Sequence, residues 1–108
     1  MRRLSAIMFT DMVGYSALTQ KNEALALDLL EEHRKIVRPF FKKHGGREIE
    51  TAGDSFFAEF TSAVEATNCA IEIQTTLNER NKTEPAERRI LLRIGLHIGD
   101  VVFVDQQV

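Results

Sequence analysis

The stretch REIETAGDSFFAEF, residues 47–60, holds two short strand-compatible segments, Arg47 to Thr51 and Phe56 to Phe60. Between them lies the tight sequence Ala52, Gly53, Asp54, Ser55, so the stretch reads as a β-hairpin. Working outward, the period of the apolar residues changes on both sides. Upstream, from about Asn22, Leu25, Leu29, Ile36 and Phe40 recur at three or four residues with Ala26, Leu30, Val37 and Phe41 beside them, which predicts one long amphipathic helix. Gly45 and Gly46 supply its stop, and Pro39 predicts a kink or break near Arg38. Downstream, Ser62 and Glu65 form a capping box, and Ala63, Ala66, Ala70, Ile73 and Leu77 make the stripe of a second helix.

Leu4 to Thr10 reads as a buried strand running into a turn-prone loop, Asp11 to Ser16. Asn81 to Arg89 is polar, contains Pro85, and reads as a long loop. From Ile90 to Ile98, Leu92, Ile94, Leu96 and Ile98 alternate with Leu91, Arg93, Gly95 and His97, as a two-faced strand requires. Another short strand, Val101 to Val104, is expected after Gly99 and Asp100. The order strand, helix, hairpin, helix, strand, strand packs as one antiparallel sheet with helices on one face, a ferredoxin-like α+β sandwich.

A chain of 108 residues with 44% hydrophobic and 28% charged residues is one globular domain. Its net charge of −2 provides no field to draw nucleic acid. The single cysteine, Cys69, excludes an intrachain disulfide and a cysteine-cluster metal site and fits a reducing, cytoplasmic setting. Arg2 and Arg3 precede an apolar run that Thr10 and Asp11 end too early for a signal peptide, and no stretch has the length of a membrane span. Phe56, Phe57 and Phe60 are expected to pack in the core rather than to stack on bases.

Two acids stand at strand ends among small residues: Asp11 after the first strand and Asp54 in the hairpin turn. In a ferredoxin-like sheet the first strand and the hairpin are neighbours, so these carboxylates converge. Converging carboxylates suit hard divalent cations such as Mg²⁺, which keep some water and take further oxygens from substrate phosphates. The loop Met12 to Ser16, with Gly14 at its centre, offers successive backbone N–H groups to a triphosphate.

FTDMVGYS, ETAGDSFFAEF and LLRIGLHIGDVV, in this order, resemble three successive signature segments of the class III nucleotidyl cyclase catalytic domain, that of the adenylate and guanylate cyclases. The resemblance implies that Asp11 and Asp54 are the catalytic metal-binding aspartates, with the backbone carbonyl of Met12 a further metal contact. It implies that Val13, Gly14, Tyr15 and Ser16 hold the triphosphate, that Ala52 and Gly53 line the nucleotide site, and that Arg93 contacts the triphosphate. Glu50 stands four residues before Asp54, where adenylate cyclases usually carry lysine and guanylate cyclases glutamate. A carboxylate accepts from guanine N1–H and its 2-amino group, so GTP is favoured over ATP.

The activity implied is that of a purine nucleotide cyclase, which forms a 3′,5′-cyclic nucleotide and pyrophosphate with two Mg²⁺ or Mn²⁺ ions, in cyclic nucleotide signalling. It also implies a homodimer, with metals held by one protomer and the base read by the other. The resemblance covers essentially all of residues 1–108 and somewhat over half of a complete catalytic domain. An Asn and an Arg that support the ribose and the transition state are therefore expected past Val108, and the chain alone is expected to be inactive. The competing class is a cyclase-homology module that dimerises or regulates without turnover.

Overall fold

In the computed structural model, which describes residues 2–102 and the side chains of 4–99, the first apolar run forms strand β1 (Arg2–Met12). A short helix α1 (Tyr15–Lys21) and a long helix α2 (Glu23–Lys43) follow. The hairpin is β2 (Arg47–Ala52) and β3 (Ser55–Phe60), and then come α3 (Ala63–Asn81), a single 3₁₀ turn (Ala86–Arg88) and β4 (Leu92–Val102). The sheet order is β2-β3-β1-β4 and every pairing is antiparallel. This is the expected ferredoxin-like α+β arrangement, with β1 in the interior beside both the hairpin and β4.

Alternation along the strands sorts residues onto two faces. The face covered by α2 and α3 carries Ala6, Met8, Met12, Phe56, Ala58, Phe60 and Leu92, all buried, against Leu29, Val37, Phe41, Ile73 and Leu77 of the helices. Phe56 and Phe60 are 2% and 1% exposed, and burying each such ring is worth about 1.5–3 kcal/mol. Leu96 and Ile98 also belong to this side but remain exposed, because β4 is an edge strand.

Several local expectations change. The Asp11–Ser16 segment is not all loop: β1 continues through Met12 and α1 begins at Tyr15. Asn22, where the long helix was expected to start, caps it, its Oδ1 accepting from the Leu25 N–H at 3.1 Å. The helix runs to Lys43 without a break at Pro39. Pro39 and Lys35 are both exposed, so the carbonyl that the missing N–H frees faces water while buried Val37 and Phe41 anchor the helix. It ends as expected: the Gly46 N–H reaches the Phe41 carbonyl at 2.7 Å and the Gly45 N–H reaches that of Lys42 at 3.3 Å. Ser62 caps α3 by accepting from the Glu65 N–H at 3.1 Å.

The expected loop from Asn81 is shorter, since Asn81 is the last residue of α3. Its buried amide donates to the Ile90 carbonyl at 2.8 Å and accepts from the Ile90 N–H at 3.0 Å, fixing the entry to β4. Gly99 and Asp100 do not interrupt that strand, because they pair with Ser5 and Leu4 of β1. Phe103 and Val104, the end of the separate strand expected there, lie outside the described residues. Among the described residues no helix is long and apolar enough to cross a membrane.

Candidate active site

Asp11 lies near the end of β1, directly opposite Arg93 of β4 in the ladder. Arg93 Nε donates to Asp11 Oδ1 at 2.8 Å, and this hydrogen bond to the carboxylate holds the guanidinium pKa above its ordinary value. Asp54 sits in the two-residue turn between β2 and β3, where Gly53 has a φ of +55°. Glycine meets the positive φ of such a turn without a Cβ clash. Two contacts then lock the turn. Asp54 Oδ2 accepts the Met12 N–H at 2.9 Å, and an Arg34 terminal nitrogen donates to the Gly53 carbonyl at 2.7 Å.

The two carboxylates therefore line one cavity, about 270 Å³ in volume, with Met12, Gly14, Tyr15, Ser16, Ala17, Ser55 and Arg93. Gly14, at φ +75°, begins α1 without a side-chain cap, and the helix bonds start with the Leu18 N–H on the Gly14 carbonyl. The first-turn amides thus remain available on the cavity side. The donor set is two carboxylates of oxygen chemistry, and among the described residues no three His, Cys, Asp or Glu side chains gather into a closed cage. Such an open, oxygen-only set fits a hard cation that completes its shell with water and phosphate.

A second cavity of about 280 Å³ adjoins the first, sharing Asp11 and Ser55, and is lined also by Phe9, Thr10, Glu50, Ala52, Phe56 and Phe57. A register shift in β2 directs Glu50 here: Glu48 pairs with Ala58, but Glu50 pairs with Phe57. This bulge turns Glu50 to the face of the sheet that no helix among the described residues covers, whereas an unshifted ladder would set it beside Phe56 on the covered face. Phe9 and Phe57 meet edge to face there, ring centroids 4.7 Å apart. Phe57 thus departs from its expected core position, while Phe56 and Phe60 keep theirs.

The adenylate and guanylate cyclase catalytic domain, as a sequence family, matches residues 4–105. The chain belongs to that family. It is 37% identical over 105 residues to "Putative adenylate cyclase 3" of Rhizobium meliloti (strain 1021), covering 96% of this chain and 18% of that protein. It is 25% identical over 108 residues to retinal guanylyl cyclase 2 of Bos taurus, covering 92% of this chain and 10% of that protein. The crystal structure of an adenylate/guanylate cyclase/hydrolase from Silicibacter pomeroyi superposes with a TM-score of 0.87 at 40% identity, over 97% of this chain and 62% of that one. The chain thus spans under a fifth of the two named relatives and less than two-thirds of the solved cyclase.

Of the residues singled out in this cyclase-family sequence, Asp11, Met12, Gly14, Tyr15, Ser16, Asp54 and Arg93 come together in the first cavity, and Glu50 and Ala52 in the second. Val13 and Gly53 line neither, and the Val13 N–H is taken by the Leu91 carbonyl at 2.8 Å. Phe9, Ala17, Ser55 and Arg34 were not foreseen. Phe9, two residues before Asp11 on the same strand face, was readable from alternation, but the reach of Arg34 to the turn had no sequence signal. Behind the turn, His33 of α2 is fully buried against Phe56, with ring centroids 5.2 Å apart. Burial pushes its imidazole pKa down to about 4, although the Leu30 carbonyl one turn earlier pulls the other way.

Proposed function

We propose that this domain is a purine nucleotide cyclase, in which the ribose 3′-oxygen of a bound GTP or ATP attacks the α-phosphorus and pyrophosphate leaves. One observation carries the reading: Asp11, Asp54, Arg93 and the uncapped first turn of α1 converge on one cavity. In this reading Asp11, Asp54 and the Met12 carbonyl hold two Mg²⁺ or Mn²⁺ ions, which when bound would activate the attacking hydroxyl and neutralise the leaving phosphates. Asp54 is oriented for the task by the bond to the Met12 N–H at 2.9 Å, which leaves Oδ1 for a cation. Arg93 and the amides of Gly14 to Ser16 bind the triphosphate, and in the homodimer Glu50 of the second copy accepts from the guanine edge, favouring GTP. The open sheet face, with Phe9 45% exposed, is the surface a second copy would cover in a homodimer.

Metal-dependent nucleotide binding is the property these residues own by themselves. Calorimetric titration of the chain with GTP in the presence of Mn²⁺ should show binding that disappears without the metal. Asp54→Ala should weaken it by more than tenfold, since losing even a group that only orients a metal ligand costs about that much. Unchanged binding in that variant would remove the site reading. ATP bound as tightly as GTP would remove the role of Glu50 in base choice.

A further inference from the structure

We propose that Arg93 is a reversible stand-in for the metal on Asp11, a guanidinium that competes for the carboxylate until a triphosphate draws it away, so that bound nucleotide strengthens metal binding. The inference rests on the reading of Asp11 and Asp54 as the metal site and adds a direction to how that site fills.

The two aspartates are prepared differently. Asp54 is held by a neutral main-chain donor, the Met12 N–H. Asp11 is held by a cation, the Arg93 Nε at 2.8 Å. That pairing is set by register rather than by a wandering side chain, because Asp11 and Arg93 face each other directly in the β1–β4 ladder. The contact uses Nε alone, and the cavity that Arg93 lines also holds Gly14, Tyr15 and Ser16. The terminal nitrogens are therefore left for a phosphate without requiring Arg93 to change strand or face.

The contact is also weak enough to open. The side chains of Arg93 and Asp11 are 71% and 40% exposed, and ion pairs of that kind are screened and contribute little. A triphosphate brings several negative charges and so competes for one guanidinium against one carboxylate. A cation arriving alone must instead displace Arg93 from Asp11. By linkage, whatever the nucleotide does for the metal through Arg93, the metal does equally for the nucleotide.

The test uses Mn²⁺ alone, titrated into the chain and followed by water proton relaxation, together with the ¹⁵Nε resonance of Arg93. Without nucleotide, Arg93→Gln should bind Mn²⁺ about two- to fivefold more tightly than wild type, the factor that an exposed ion pair withholds. With a non-hydrolysable GTP analogue present, that gain should vanish. The Arg93 Nε–H signal of the metal-free chain should move toward that of a free guanidinium on adding Mg²⁺ and in Asp11→Ala. Equal or weaker Mn²⁺ binding by Arg93→Gln, or an Arg93 signal indifferent to Asp11→Ala, overturns the proposal while leaving the metal site standing. Absence of Mn²⁺ binding from both proteins overturns the metal site and the proposal with it.

Discussion

The two faces of the sheet obey different rules, and the adjacent residues Phe56 and Phe57 show it most plainly. Phe56 points into the layer between sheet and helices, is 2% exposed, and touches Phe41 and His33. Phe57 points the other way, onto the face shared by Phe9, Asp11 and Glu50. The covered face is apolar and closed, so its residues act through packing. The open face keeps Asp11, Glu50 and Arg93 partly or fully in water, where they are free to exchange partners. Around the site, stability and chemistry are thus separated across the thickness of one strand, whereas further along the same face Ser5, Ile7 and Glu59 are buried.

The largest expected effect breaks or confirms that separation directly. Phe56→Ala should cost about 3–5 kcal/mol, because a buried ring leaves a cavity that close-packed neighbours fill only in part. Phe57→Ala should cost less, about 1–2 kcal/mol, since the half-buried ring loses mainly its edge-to-face contact with Phe9, and should also weaken GTP binding. Urea unfolding of the two variants, with unchanged m-values, measures both. Equal destabilisation would mean that the open face is a second core.

A smaller effect probes the covered face below the Asp54 turn. His33 is buried neutral, its pKa lowered to about 4 from 6.5, while the unfolded chain titrates near the ordinary value. Between those pH values the unfolded state binds more protons, so stability must fall as the pH drops through the window. A shift of that size corresponds to roughly 3 kcal/mol in all. His33→Leu should remove this acid limb from the stability curve. If the limb persists in His33→Leu, the loss belongs to carboxylates elsewhere.

The covered face was legible in the sequence because packing writes itself as periodicity. Leu29, Val37 and Phe41, or Ala66, Ile73 and Leu77, sit where spacing predicts. Caps and stops at Ser62, Gly45 and Gly46 were legible for an equally local reason. The exceptions are tertiary. Helix α1 hides in turn-prone residues, since Gly14 and Ser16 are common in both states. Leu96 and Ile98 alternate like core residues but sit on an edge strand. The site was half legible. Asp11, Asp54 and Arg93 were found from motif and strand order, but the bulge that turns Glu50 outward depends on pairing with β3. The bond from Arg34 to Gly53 depends on how α2 lies across the hairpin.

The smallest effect comes from the other end of α2, where a second histidine titrates with the opposite sign. His44, its side chain 8% exposed, lies between two carboxylates of α3, with Nδ1 at 2.7 Å from Glu65 Oε1 and Nε2 at 2.8 Å from Glu72 Oε1. Both ring nitrogens face acceptors, so the doubly protonated imidazolium satisfies the site and the neutral ring leaves one contact without a proton. Hydrogen bonding to Glu65, and then to Glu72, raises its pKa against the opposing effect of burial. Lys43 also reaches Glu72, at 2.8 Å, and with His44 lowers that carboxyl's pKa. Because the folded pKa of His44 lies above the unfolded 6.5, its contribution is complete below pH 6.5 and is lost as pH rises through the folded value. His33 and His44 therefore pull stability down on opposite sides of the same pH. Glu65 and Glu72 are 46% and 37% exposed, which limits the His44 contribution to about 1 kcal/mol or less and makes it sensitive to salt. Thermal unfolding of His44→Gln should lose the decline on the alkaline side of pH 6.5 while keeping the acid limb of His33. An unchanged alkaline slope in His44→Gln would show that the clamp between α2 and α3 does not depend on the charge of His44.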